Sequence, residues 1–142
     1  MTRNTEYPLE RLLNLKLEDV VANKELGDLR LATDAEIQTL SGDVADSWTK
    51  GTLLRWHVIA IEKRSHFAKA AVLGYLEETR LALRTSEIVA LDLDRRLVQT
   101  LNSVYRLEDR AEGEVPTDLV WFLCATFDPT TQRLLGMPEA FF

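Results

Sequence analysis

Near the start of the chain Leu9, Leu12, Leu13, Leu17, Val20 and Val21 recur at close to helical spacing, with Glu10, Arg11, Asn14 and Glu18 between them. That period predicts an amphipathic helix over residues 8–23. Pro8 opens it, because a missing N–H costs nothing in a first turn, and it ends before Gly27. A second start lies at Thr33-Asp34-Ala35-Glu36. There the Thr33 and Glu36 side chains can each accept from the other residue's backbone N–H, a capping box. Ile37 and Leu40 supply that helix with an apolar face, and Gly42 predicts its stop.

The period then changes. From Leu53 onward the alternation puts Leu54, Trp56, Val58 and Ala60 on one face and Arg55, His57, Ile59 and Ile61 on the other, as a strand requires. Residues 86–93 are rich in β-branched and aliphatic side chains and run into the polar turn Asp94-Arg95-Arg96. Leu97-Val98-Gln99-Thr100-Leu101 reads as a returning strand, Asn102-Ser103 as a second turn, and Val104-Tyr105-Arg106-Leu107 as a third strand. These three form a meander. Residues 67–83 are ambiguous: Ala68, Ala70 and Ala71 suit a helix, whereas Val72, Gly74 and Tyr75 suit a strand with a bulge or turn. Strand is the reading taken here.

Gly113 and Pro116 interrupt the chain before a last apolar segment. Thr117 can cap a helix carrying Leu119, Val120, Trp121, Phe122, Leu123 and Phe127, apolar nearly all round and therefore buried. Asp128-Pro129 starts a short helix through Leu134 and Leu135, closed by Gly136 and Pro138. The pattern predicts a single α+β domain over residues 1–142, with a small antiparallel sheet at about residues 52–107 flanked by N-terminal and C-terminal helices.

The most distinctive stretch is Arg84-Thr85-Ser86-Glu87-Ile88-Val89-Ala90-Leu91-Asp92, followed by Val98-Gln99-Thr100-Leu101-Asn102-Ser103-Val104-Tyr105-Arg106-Leu107. It resembles a segment of small, mostly uncharacterised bacterial, phage and plasmid proteins, in which a Thr-Ser start, an aliphatic strand, a turn, and then Thr, Asn-Ser and Tyr-x-Leu form a compact antiparallel sheet. The likeness covers about a quarter of the chain. Leu76-Glu77-Glu78-Thr79 departs from it, standing where an Asp-Gly turn would be expected. The resemblance implies a β segment and no activity. The polar residues also have a purely structural reading: Thr85 and Ser86 bonding backbone at a strand start, Thr100 in the sheet, Asn102 and Ser103 in a turn, Tyr105 packed at the sheet edge. A ligand site built from the same residues is the alternative.

Length and composition narrow the function. With 142 residues, 46% of them hydrophobic, the chain can bury a core and is not of disordered type. Its 23 acidic and 17 basic residues leave a net charge of −6, against a general nucleic-acid coat though not against a local basic patch. The charge is uneven: −4 over residues 1–50, +2 over 51–110 and −4 over 111–142. Either the acidic ends dock around the middle, or they present an acidic face to a basic partner. One cysteine, Cys124, forms no internal disulfide, and neither a secretory leader nor a spanning apolar run is legible. A cytoplasmic protein with no membrane contact is expected.

Chemistry is sparse. His57, His66, Glu62 and Cys124 lack paired-ligand spacing, so no metal site is expected. Ser65-His66 has no nucleophile elbow, and Cys124 lies in an apolar helix that would raise its thiol pKa. Glu77 and Glu78 are a candidate acid/base pair, but on a strand neighbours point to opposite faces, and an exposed loop is the reading taken. No catalytic residue and no cofactor follows. The expectation is a small acidic accessory protein acting by protein–protein contact, of the kind a phage or mobile element uses to inhibit a host nucleic-acid-binding defence complex. Glu10, Glu18, Asp19, Glu25, Asp28, Glu112, Glu114 and Asp118 would face the partner. The alternative is a nucleic-acid-binding sheet face carrying Arg55, Trp56, Arg95, Arg96 and Arg106.

Overall fold

A computed structural model describes residues 16–17, 28–45 and 47–127. The helix predicted over residues 8–23 falls outside the described residues except at Lys16 and Leu17, and so does the short helix predicted through Leu134 and Leu135. Seven strands and two short helices, an α+β set, make up the rest: β1 (Asp28–Leu31), α1 (Asp34–Thr39), β2 (Thr52–Lys63), β3 (His66–Leu76), β4 (Ala82–Arg84), β5 (Ile88–Asp92), β6 (Leu97–Thr100), β7 (Val104–Leu107) and α2 (Thr117–Phe127). The sheet order is β4-β3-β2-β7-β6-β5, with β1 also on β2.

β2 organises the molecule because two strands share its one edge. Thr52 and Leu53 pair in parallel with β7, and residues 59–62 pair antiparallel with β1. All other strand pairs are antiparallel. A strand in this central position is covered on both faces, which is why Val58-Ile59-Ala60-Ile61 reads as a continuous apolar run. Val58 enters an inner core with Trp56, Val72, Leu91, Val98 and Leu107. Ile59 and Ile61 enter an outer core with Leu73, closed by Leu119, Val120 and Leu123 of α2. Each such side chain contributes about 1.5–3 kcal/mol of burial.

The strand alternation expected for β2 breaks at its start. Arg55 has φ 45°, and the register against β3 shifts between Leu54 and His57. This bulge exchanges faces, so Leu53 rather than Leu54 joins Trp56 in the inner core. Within residues 67–83 the strand reading holds for two stretches, β3 along β2 and β4 returning along β3, while residues 77–81 form the turn between them. The meander β5-β6-β7 is present in the expected order.

Three further readings need correction. β1 lies outside the expected sheet span of residues 52–107, and four residues are too few to show a period. Gly42 does not stop α1. The helix ends at Thr39 with Leu40 as its cap, and Gly42 instead donates its N–H to the Leu91 carbonyl beside β5. α2 is not buried all round, because Trp121 stays exposed while its neighbours Val120 and Phe122 pack inward. The capping box is present as predicted: the Glu36 N–H donates to Thr33 Oγ1 at 3.2 Å and the Thr33 N–H to Glu36 Oε1 at 2.9 Å. Among the described residues no helix is long and apolar enough to cross a membrane.

Candidate functional site

The acidic residues expected to face a partner do not act alike. Glu10, Glu18, Asp19 and Glu25 lie outside the described residues. Asp28 is exposed at the start of β1, opposite Glu62 in register. Glu112 and Glu114 are exposed in the loop before α2, and Glu114 lies 3.8 Å from Lys16 Nζ in a loose surface pair. Asp118 is committed elsewhere: its carboxylate accepts the hydroxyl of Tyr75, tying α2 to β3. Burial and then that carboxylate push the Tyr75 phenol up to about 12, so it remains a donor across the working pH range.

The basic, aromatic sheet face is not assembled as expected. Trp56 is 3% exposed in the inner core, and its indole N–H donates to the Glu108 carbonyl at 3.0 Å. A base cannot stack on it without opening that core. Arg55 lies over the Tyr75 ring, 4.8 Å from its centroid. Arg95 reaches back from the β5–β6 turn to the Val44 carbonyl at 2.6 Å. Arg96 is exposed in the same turn and Arg106 on β7, opposite Leu97.

The distinctive polar segment does structural work. Thr85 Oγ1 accepts the Val72 N–H at 3.0 Å and donates to the Ser86 carbonyl at 2.8 Å, extending the β3–β4 pairing past its last residue. Ser86 Oγ accepts the Asn102 N–H, and Thr100 Oγ1 both donates to the Ser103 carbonyl and accepts its N–H. The hydroxyls thus lock the β6–β7 turn to the strand start before β5. A cavity of about 370 Å³ opens beside them, with Lys69 and Arg84 in its wall. Burial pushes the Arg84 guanidinium down to about 9.

Sequence reasoning passed over Trp48. It is 81% exposed beside a shallow cavity of about 300 Å³ shared with Leu101, itself 66% exposed, and with Gln99 and Val104. The segment carrying it is held against β7, where the Lys50 N–H donates to the Val104 carbonyl at 2.8 Å. The signal available was composition: a lone tryptophan in the polar run Asp46-Ser47-Trp48-Thr49-Lys50, with no apolar period to bury it.

His57, weighed above as a metal ligand, is buried on β2. Among the described residues no three His, Cys, Asp or Glu side chains converge to hold a metal ion. Comparison of the chain with protein-family models, curated proteins and solved structures finds no match.

Proposed function

We propose that this protein works by binding another protein rather than by catalysis, and that Trp48 and Leu101 anchor the contact. The observation that carries the reading is the Trp48 ring, held outward on an anchored segment beside an exposed leucine. A large rigid aromatic in that setting is the side chain that dominates interface energetics. The partner offers an apolar side chain to the Trp48–Leu101 notch. The net charge of −6, with Asp28, Glu112 and Glu114 exposed, supports a partner that is itself basic, such as a nucleic-acid-binding complex held off its nucleic acid. Action in the cytoplasm, as a phage- or mobile-element-type inhibitor, and a sheet flanked by helices from both ends of the chain belong to the same reading.

The test is capture from host lysate with and without nuclease, using the wild-type chain, Trp48→Ala and the charge reversal Glu112→Lys/Glu114→Lys. A stoichiometric partner lost at least about 30-fold with Trp48→Ala supports the assignment, since hot-spot truncation costs about 2 kcal/mol or more. A partner retained by Trp48→Ala and lost on charge reversal moves the contact to the acidic loop and overturns the Trp48 anchor. Recovery of nucleic acid alone, without nuclease, overturns protein binding in favour of Arg95, Arg96 and Arg106.

A further inference from the structure

β4 stops short along β3. Their pairing ends at Leu73 opposite Arg84, and Thr85 carries it one residue further by bonding Val72. Before Val72 the outer edge of β3 meets no strand among the described residues. A cavity of about 370 Å³ opens there, lined by Ala70 and Ala71, whose small side chains leave it unfilled. The rest of its wall comes from the distinctive polar segment: Arg84, Ser86 and Glu87 from one stretch, Leu101 and Asn102 from the other. The Asn102 N–H donates to Ser86 Oγ and the Leu101 N–H to the Glu87 carbonyl. The two stretches are thus fixed to each other, and the wall is preorganised.

The wall is cationic on balance, with Lys69 and Arg84 against one acid, Glu87. Lys69 is half-buried on β3 and makes no ion pair among the described residues; Glu87 is exposed and pairs with neither cation. Arg84 is 8% exposed, and burial lowers its guanidinium to about 9. It therefore stays charged at neutral pH, while its contacts within the fold fall short of replacing its lost hydration. Such a cation raises the potential of the cavity without touching a ligand. Donors come from three segments. Lys69 offers an ammonium with three N–H groups, and the exposed Asn102 a side-chain amide. Ser86 Oγ accepts from Asn102 and keeps its own proton to give.

We propose that this cavity binds a phosphate group, free or carried on a small molecule, its oxygens accepting from the Lys69 ammonium, the Ser86 hydroxyl and the Asn102 amide in the field of Arg84. A tetrahedral oxyanion presents oxygens to donors on several sides, and its two charges match the two cations. A planar carboxylate presents two oxygens and one charge. Leu101, Ala70 and Ala71 give the carbon part of a phosphate monoester an apolar surface to lie on. Glu87 opposes the anion, which fixes the sign of one test. Trp48 is not in this wall, so the site stands whether or not a protein docks there.

The test is NMR of the full chain labelled with ¹⁵N, titrated with inorganic phosphate, phenyl phosphate and acetate to about 50 mM, above the millimolar range of weak small ligands. Sodium chloride at matched ionic strength is the control. Expected is a saturable shift of the Ser86, Glu87 and Asn102 amides with phosphate, and acetate binding at least about tenfold more weakly. Phenyl phosphate bound more tightly than the free ion makes a monoester the ligand; the reverse order makes it inorganic phosphate. Lys69→Gln should weaken phosphate at least about tenfold, and Glu87→Gln should tighten it about threefold, because the opposing charge is gone. Lys63→Gln, which removes an exposed cation at the end of β2, should leave the affinity unchanged. No saturable shift, an equal shift with chloride, or acetate binding as tightly as phosphate overturns the proposal. So does an equal loss with Lys63→Gln, or a Glu87→Gln chain that binds phosphate no more tightly than wild type.

Discussion

Glu36 carries three hydrogen bonds on two oxygens. Arg30 donates to it from Nη1 at 2.7 Å and Nη2 at 2.6 Å, and the Thr33 N–H donates at 2.9 Å. Arg30 Nε also lies 3.0 Å from Glu62, so a single guanidinium joins β1, β2 and α1. The Arg30 bonds, then Thr33, hold the Glu36 carboxyl at about 2, below its ordinary 4.5. The folded state therefore binds this proton more weakly than the unfolded chain. The resulting stability is present above pH 4.5 and is lost as pH falls through the folded value near 2. For a partly exposed bidentate pair it amounts to about 1–2 kcal/mol. His57 acts in the same direction at higher pH. Its lowered pKa makes stability fall as pH drops below 6.5, because the unfolded chain takes up the proton first. Urea midpoints followed from neutral pH downward should show both windows. Glu36→Gln should flatten the lower one and His57→Leu the upper; a profile unchanged by either variant would contradict its assignment.

At the scale of elements, the bulge in β2 and Gly74 in β3 depend on each other. A Cβ on Gly74 would sit 2.9 Å from the Leu54 carbonyl oxygen and 3.2 Å from Trp56 Cα, both backbone atoms that cannot swing aside. Gly74→Ala should cost about 2–3 kcal/mol through overpacking, read as a lowered urea midpoint. Loss below about 0.5 kcal/mol would mean that the bulge can relax. The β2–β3 turn offers the opposite change. Arg64 and Ser65 have φ of 53° and 66°, the left-handed pair that a two-residue hairpin turn of type I′ requires and that Asn-Gly adopts with least strain. Arg64→Asn with Ser65→Gly should raise stability by about 1 kcal/mol. That turn also shows why residues 67–83 read ambiguously: Arg-Ser announces no hairpin, so the alanines of β3 could equally be counted toward a helix. Where cap residues had their usual chemistry, as in Thr33 to Glu36, the element was legible.

Across the whole molecule, composition and period carried the α+β class and the meander, whereas features that depend on contacts distant in sequence stayed hidden. β1 takes its identity from pairing with residues 59–62, and a cavity beside His57 is walled by segments far apart in sequence, around Leu31 and around Arg110. The polar run around Trp48 hinted that it would not be buried, but its place beside Leu101 could not be read from the sequence. The central place of β2 has a mechanical consequence. Its residues alternate between the inner core, through Trp56 and Val58, and the outer core, through Ile59 and Ile61. Neither core can open without disturbing the strand that floors the other. Leu91→Ala in the inner core and Leu119→Ala in the outer core should each cost about 2–5 kcal/mol, both leucines being about fully buried. Each variant should still unfold in one transition. The two can be followed separately, because Trp56 lies in the inner core and Trp121 on α2. Coincident urea curves from single-tryptophan chains retaining one or the other would show the two cores to be one cooperative unit. An earlier transition at Trp121 would instead show α2 to be a layer that detaches first and leaves the sheet standing.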